Sequence, residues 1–340
     1  MPMEKLVYVD DDLPGITRRR AGKGWAYYDP AGALIRDAAE RKRLNAIALP
    51  PAYSDAWFCP VDTGHILATG YDDAGRKQYR YHPAFRSQRE SAKYDACGSF
   101  GKLLPLMRKR VDEDLSQPKV TRTRAIASVV RVLDLSAIRV GNAHYARTNE
   151  SYGATTLRAD HAEVGTRRIA LCFVGKGGKE RELDLDDSRL ARAVGRMQDL
   201  GGDDDHLFRY EDEEGEVRPV TSADVNAYLR ETMGEDFSAK HFCTFHASSL
   251  AFEKLATGSG QVKMGEMLQH VADKLGNTPA IARSSYVHPA VIARIEGQAE
   301  WRATFKLPRA TRWQTRAERG LIAFLEECGT SADLMGDDAA

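Results

Sequence analysis

A chain of 340 residues with 42% hydrophobic and 29% charged side chains is too long for one ordinary core and too apolar for a disordered or fibrous protein. Lysine plus arginine balances aspartate plus glutamate at 49 each, so bulk charge gives no sign of a polyanionic partner. The five cysteines (Cys59, Cys97, Cys172, Cys243, Cys328) form no C-x-x-C pair, which argues against a disulfide framework or zinc site, and no metal is expected.

In chain order, Met1 to Asp12 turns acidic without an apolar stretch. No run of about 18 apolar residues follows, so neither a secretory signal nor a membrane span is expected and the chain reads as cytoplasmic. Trp25–Tyr28, the turn Asp29-Pro30-Ala31-Gly32 and Ala33–Ile35 predict a hairpin. A helix is expected from Ala38 to Asn45. A second hairpin joins His65–Thr69 to Lys77–Tyr81 around Asp72-Asp73-Ala74-Gly75. Ser87-Gln88-Arg89-Glu90 has the form of a capping box and predicts a helix start, where the domain boundary is placed. Beyond Ser91 the pattern is mostly helical, with helices expected near 188–199, 223–233, 247–256, 264–275 and 285–297. One hairpin interrupts them: Ile169–Val174, a Gly175-Lys176-Gly177-Gly178-Lys179 tip, and Arg181–Leu185. The tail from Ser331 to Ala340 is acidic and small, and fraying is expected there. The fold class is therefore α+β, with a small N-terminal antiparallel β-sheet domain over 1–86 and a larger, mainly helical domain over 87–340 that carries a lysine-tipped β-hairpin.

Charge is unevenly distributed. Residues 1–200 carry about +8 and residues 201–240 about −8, the acid lying in Asp203-Asp204-Asp205 and Glu211-Asp212-Glu213-Glu214 beside glycines, as in a solvated loop. A basic surface is compatible with that loop, and so is scattered charge with no partner.

Four segments could carry chemistry. Arg139 in Ile138-Arg139-Val140-Gly141-Asn142 is a charge among apolar residues, suited either to a structural ion pair or to an anion that matches a planar guanidinium. Lys176 and Lys179 sit in a glycine-rich tip that lacks the G-x-x-x-x-G-K-[ST] spacing, so ATP use is not indicated and no cofactor is expected. Cys243 and His246 in Lys240-His241-Phe242-Cys243-Thr244-Phe245-His246 could suggest a cysteine nucleophile, but no oxyanion-forming element is recognisable nearby, and a buried, inert thiol fits as well. Leu275-Gly276-Asn277-Thr278-Pro279 is a turn between helices, and Tyr286 follows nine residues after Asn277; taken singly, this tyrosine reads as packing.

Taken together and in order, IRVGN, SYGATTLRADH, GKGGK, KHFCTFHASSLAF and LGNTPAIARSSYVHP resemble the bacterial type IB topoisomerases, relatives of the poxvirus enzyme. Trp57-Phe58-Cys59-Pro60, GHILATG and AGRKQYRYHP resemble that family's N-terminal DNA-clamping module, so the likeness runs from roughly residue 20 to 300. The resemblance implies a two-domain clamp that grips double-stranded DNA as a monomer near the nucleoid and cleaves one strand without metal or ATP. Tyr286 would be the nucleophile and form a 3′-phosphotyrosyl link. Arg139 would stabilise the non-bridging oxygens, Lys176 would protonate the departing 5′-oxygen, and Asn277 would donate a hydrogen bond where poxvirus relatives have histidine. Arg76, Lys77, Tyr79 and Tyr81 are the expected DNA contacts of the first domain. Cys243 departs from the pattern, standing where the family usually has a second catalytic arginine. A thiol supplies neither charge nor fork, so slowed cleavage is expected unless Arg283 or a nearby lysine compensates. An inactive DNA-binding protein and a tyrosine recombinase are the alternatives, the second disfavoured by the missing H-x-x-R.

Overall fold

The computed structural model describes residues 5–200, 205–234, 237–331 and 334. It divides into two compact units, Met1–Ala92 and Lys93–Ala340. Most of the expected tail, and Asp203-Asp204 of the acidic loop, lie outside the described residues.

The first unit is a five-stranded antiparallel sheet of β1 (Ile16–Ala21), β2 (Gly24–Tyr28), β3 (Ser54–Phe58), β4 (Ile66–Tyr71) and β5 (Lys77–Tyr81), in the order β2-β1-β3-β4-β5. Helix α1 (Ala38–Ala46) is capped by Asp37, whose carboxylate accepts from the Glu40 N–H. Its Leu44 joins Ile16, Tyr27, Phe58 and Ala68 in a small core. Tyr27 stacks edge-on against Phe58, and its hydroxyl donates to Asn45 Oδ1 at 2.9 Å, so the ring is buried without an orphaned polar tip. The second expected hairpin is β4–β5. The first is present in shortened form: the Ala33–Ile35 arm returns antiparallel through the Tyr28–Leu34 bridge, with Ile35 N–H donating to Tyr27 O at 2.9 Å, while β2 pairs along its length with β1. The basic run Thr17-Arg18-Arg19-Arg20 hid the β1 strand because its polar side chains mask the alternation.

The expected Ser87 start is corrected, and the helix concerned leads into the second unit. Helix α2 runs over Pro83–Leu115, so Ser87 lies inside it; proline fills the first position and the His82 imidazole accepts from the Ala84 N–H. There follow α3 (Arg122–Ser136), α4 (Ala143–Asn149), a sheet of β6 (Ala162–Val164), β7 (Arg168–Val174) and β8 (Glu180–Asp186), and α5 (Ser188–Gln198). The acidic loop at 211–214 belongs to a short hairpin of β9 (Arg209–Glu211) and β10 (Val217–Pro219). Then come α6 (Ser222–Met233), α7 (Lys240–Thr257), α8 (Met264–Leu275), α9 (Pro279–Ser285), α10 (Pro289–Ala293), α11 (Gln298–Thr304) and α12 (Arg316–Glu326). The expected helix at 247–256 thus begins two turns earlier, and that at 285–297 is replaced by two short helices with Tyr286 at the break. Proline at 289 cannot donate backward into a continuing helix, which enforces the break.

Helix α7 is the centre of this unit: Phe242, Phe245 and Phe252 are fully buried among residues of α2, α3, α8 and α12. A charged cluster locks the same elements. Arg108 of α2 forks onto Asp134 of α3 and Glu318 of α12, and His246 of α7 lies 3.2 Å from Asp134. Burial alone would raise the Asp134 carboxyl, but the Arg108 guanidinium holds it well below the usual range.

Candidate active site

The Arg139 segment is built by two turns that need unusual backbone. Helix α3 ends on Ala137 in the left-handed region (φ 53°), and Gly141 (φ 97°) turns the chain again. Between them Arg139 and Val140 lie beside Gly153–Thr155, with Ala154 N–H donating to Arg139 O at 2.9 Å and Thr155 N–H to Val140 O at 2.7 Å. A Cβ on Gly153 would come 2.6 Å from Arg139 O, so glycine permits this close pairing. Tyr152 N–H donates to Val174 O at 2.8 Å, which ties the same stretch to the end of β7. The SYGATT block therefore fixes Arg139 relative to the lysine hairpin.

The hairpin tip is closed by Gly175 N–H donating to Lys179 O at 2.7 Å, with Gly177 and Gly178 at positive φ. Lys176 is exposed there and makes no hydrogen bond or ion pair among the described residues. Lys179 Nζ donates to Asn277 O at 3.3 Å and so joins the tip to the turn after α8. That turn is made by Gly276 (φ 68°), which caps α8, and by Thr278, which caps α9.

Tyr286 ends α9, and its backbone carbonyl accepts from Ser248 Oγ of α7 at 3.3 Å; the same hydroxyl accepts from the His288 N–H at 2.9 Å. Thus a buried serine on the central helix positions the break that carries the tyrosine. The Tyr286 hydroxyl oxygen accepts from Arg139 Nη2 at 2.9 Å, and Asn277 Oδ1 accepts from the same nitrogen at 3.2 Å. With its oxygen on Arg139, the Asn277 amide keeps its N–H groups available to another acceptor.

Arg139, Lys176, Asn277, Cys243 and Tyr286, chosen from sequence, line one cleft. Lys179 and Arg181 line it too, and it contains no aspartate or glutamate. Among the described residues, none of Arg139, Lys176, Lys179 and Arg181 is paired with a carboxylate, so the cleft suits an anion. Cys243 is buried at its edge, with Sγ 3.3 Å from the Ala137 carbonyl oxygen, and burial pushes the thiol up to about 11. A protonated thiol is neutral, which disfavours the cysteine-nucleophile alternative. Arg283 is exposed on α9 and does not line the cleft. Arg181, which the sequence reading passed over, does. The signal was present: residues 181, 183 and 185 of β8 turn inward by alternation, while Glu180, Glu182, Asp184 and Asp186 are exposed.

In the first unit Tyr79 and Tyr81 stack on each other at 5.7 Å and are exposed. The two expected cations beside them are already engaged. Arg76 pairs with Asp72 at 2.8 Å, and Lys77 with Asp11 at 2.8 Å and Asp12 at 3.4 Å. Among the described residues no helix is long and apolar enough to cross a membrane.

Residues 82–304 match the family model described as eukaryotic DNA topoisomerase I, catalytic core, and residues 24–72 match that of bacterial DNA topoisomerase IB, N-terminal domain. The chain is 28% identical over 289 residues to DNA topoisomerase 1B of Acanthamoeba polyphaga mimivirus, covering 81% of this chain and 85% of that one. It is 20% identical over 235 residues to DNA topoisomerase 1B of vaccinia virus, covering 68% and 73%. Among solved structures, XerH site-specific recombinase bound to palindromic difH substrate is similar at a TM-score of 0.37 and 16% identity, over 55% of this chain and about half, 47%, of that one.

Proposed function

Because the chain belongs to the DNA topoisomerase I catalytic-core family, we propose that it relaxes supercoiled DNA as a type IB enzyme, by transient cleavage of one strand through Tyr286. The observation that carries this reading is the 2.9 Å hydrogen bond from Arg139 to the Tyr286 hydroxyl in a cleft lined by cations and free of carboxylates. A phenol is protonated at neutral pH, and a cationic surround favours the phenolate that attacks.

In the proposed step the Tyr286 oxygen forms a bond to a backbone phosphorus and its proton passes to solvent. The bond from phosphorus to the 5′-oxygen breaks, and Lys176 protonates that oxygen, which would otherwise leave as an alkoxide. Arg139 and the Asn277 amide stabilise the charge that grows on the non-bridging oxygens. The 3′-phosphotyrosyl link keeps the energy of the phosphodiester, so the freed end can swivel and be resealed without ATP or metal. The partner is double-stranded DNA, held by a monomer in the cytoplasm. The N-terminal module, placed over residues 1–86, contributes the stacked faces of Tyr79 and Tyr81. Cys243, neutral and turned to a backbone carbonyl, supports a cleavage rate below that of relatives with a second arginine.

Plasmid relaxation in EDTA, run beside Tyr286→Phe, tests the reading. Slow relaxation with a covalent protein–DNA adduct on a denaturing gel, both lost in Tyr286→Phe, is the expected result. DNA binding with no adduct from either form would replace it with the inactive-binder alternative, and relaxation surviving in the variant would reject the nucleophile.

A further inference from the structure

We propose that Arg181 is a catalytic residue, its guanidinium serving the scissile phosphate in place of the arginine absent at Cys243. The proposal rests on the transesterification reading above and adds to it a residue from a different element, strand β8.

Three observations converge. The side chain of Arg181 lines the same cleft as Arg139, Lys176, Asn277 and Tyr286. It is half-buried, has no carboxylate partner among the described residues, and donates from Nη2 only to the Lys274 carbonyl at 3.1 Å. One nitrogen thus anchors the fork, and further N–H donors remain for an incoming anion. Such partly desolvated arginines are ordinarily balanced by an acid, so an unpaired one beside a nucleophile marks an anion subsite. Burial first, and the nearby Arg139 charge second, lower the Arg181 pKa, which agrees with two guanidinium groups lining one cleft.

The room for this side chain is made by Gly276. A Cβ there would overlap the Arg181 guanidinium itself. The glycine that turns the chain toward Asn277 therefore also seats Arg181, and the two phosphate-facing groups are set by one turn. Charge geometry points the same way. Cys243 Sγ lies 3.3 Å from the Ala137 carbonyl oxygen and offers no charge to the cleft, whereas Arg181 brings a guanidinium to it from the hairpin strand β8. A fork delivered from a different element would replace the missing charge only in part.

The test is single-turnover cleavage of a short duplex by full-length protein, with adduct measured on denaturing gels. Arg181→Ala should cleave about 10²- to 10³-fold more slowly, the loss typical of one transition-state donor, and Arg181→Lys should fall between. Cys243→Arg should restore more rate in the Arg181→Ala background than it adds to the parent. To separate contact from scaffolding, the scissile phosphate is replaced by a neutral methylphosphonate. With the charge removed, the Arg181→Ala penalty should shrink at least about tenfold, whereas a merely distorted Asn277 turn would slow both substrates alike. Should Arg181→Ala fail to fold, Arg181→Lys and Arg181→Gln give the same comparison. Cleavage by Arg181→Ala within about threefold of a Tyr286-dependent parent, or an equal penalty on both substrates, overturns the proposal while the function stands. A parent with no adduct at all overturns both.

Discussion

Gly276 and Gly234 form a matched pair on which the site's construction can be tested. Both end a helix, α8 and α6, and both hold the left-handed conformation, at φ 68° and 69°. Their surroundings differ. A Cβ at Gly234 would meet no described atom within 4 Å, while at Gly276 it would strike the Arg181 guanidinium. Alanine at either position pays backbone strain of roughly 1–2 kcal/mol, equivalent to about 2–4 °C in melting temperature per kcal/mol for a unit of this size. Gly234→Ala should show that loss and nothing else. Gly276→Ala should show a similar thermal loss, because Arg181 can swing toward solvent, together with a fall in cleavage of about 10²-fold from displaced phosphate-facing groups. Differential scanning fluorimetry and single-turnover cleavage measure the two quantities separately. Equal cleavage by both variants would refute the argument that Gly276 makes room for a working side chain.

Cys243→Arg should raise the cleavage rate of the otherwise unchanged chain, by less than the about 10²-fold that one donor carries, at a stability cost of about 1–3 kcal/mol for overpacking a buried edge; an unchanged rate in a folded variant would show that position 243 is silent. Asp11→Asn combined with Asp12→Asn frees Lys77 from both ion pairs, so DNA binding should tighten at low salt and the slope of log K against log salt should steepen by about 0.9. No change in slope would mean that Lys77 does not meet a phosphate. His288 is buried and held down to about 4, below its usual range, so the unfolded chain takes up its proton first as pH falls. Its contribution is intact above about pH 6.5 and is lost progressively toward pH 4, amounting to about 3 kcal/mol. Urea unfolding should weaken over that window, and the dependence should flatten in His288→Asn, which keeps an acceptor for the Ala290 N–H.

The two-unit α+β plan was legible because turns and alternation are local. The helix breaks around the tyrosine were not read in full, although Pro289 marked one of them. The start of α7 was hidden for a physical reason: Ala239 offers no capping side chain, and the His241 imidazole accepts from the Ser238 N–H instead, a pattern without a standard signature. At the site, residue types were readable but contacts were not. Arg139 and Tyr286 are 147 residues apart and meet through a hydrogen bond that no local pattern encodes. The paired state of Lys77 was equally invisible, since Asp11 lies far from it in sequence, whereas Arg76 pairs locally with Asp72 four residues away. Arg181 was legible in principle, because strand alternation puts it on the inner face, but Glu180 and Glu182 on either side made the run look like solvated surface.

Those flanking acids have a further consequence. Strand β8 alternates charge along its length, with Glu180 and Glu182 exposed and Arg181 half-buried and lining the cleft. A chain whose formal net charge is zero therefore holds a local electric dipole directed through the hairpin. A polyanion would be repelled by the exposed Glu180 and Glu182 and attracted to the carboxylate-free cleft, which would orient an encounter before contact forms. With a screening length of about 8–10 Å at physiological ionic strength, such steering would act within one DNA radius and fade in high salt. The bulk composition hides it because the opposing charges cancel in the total.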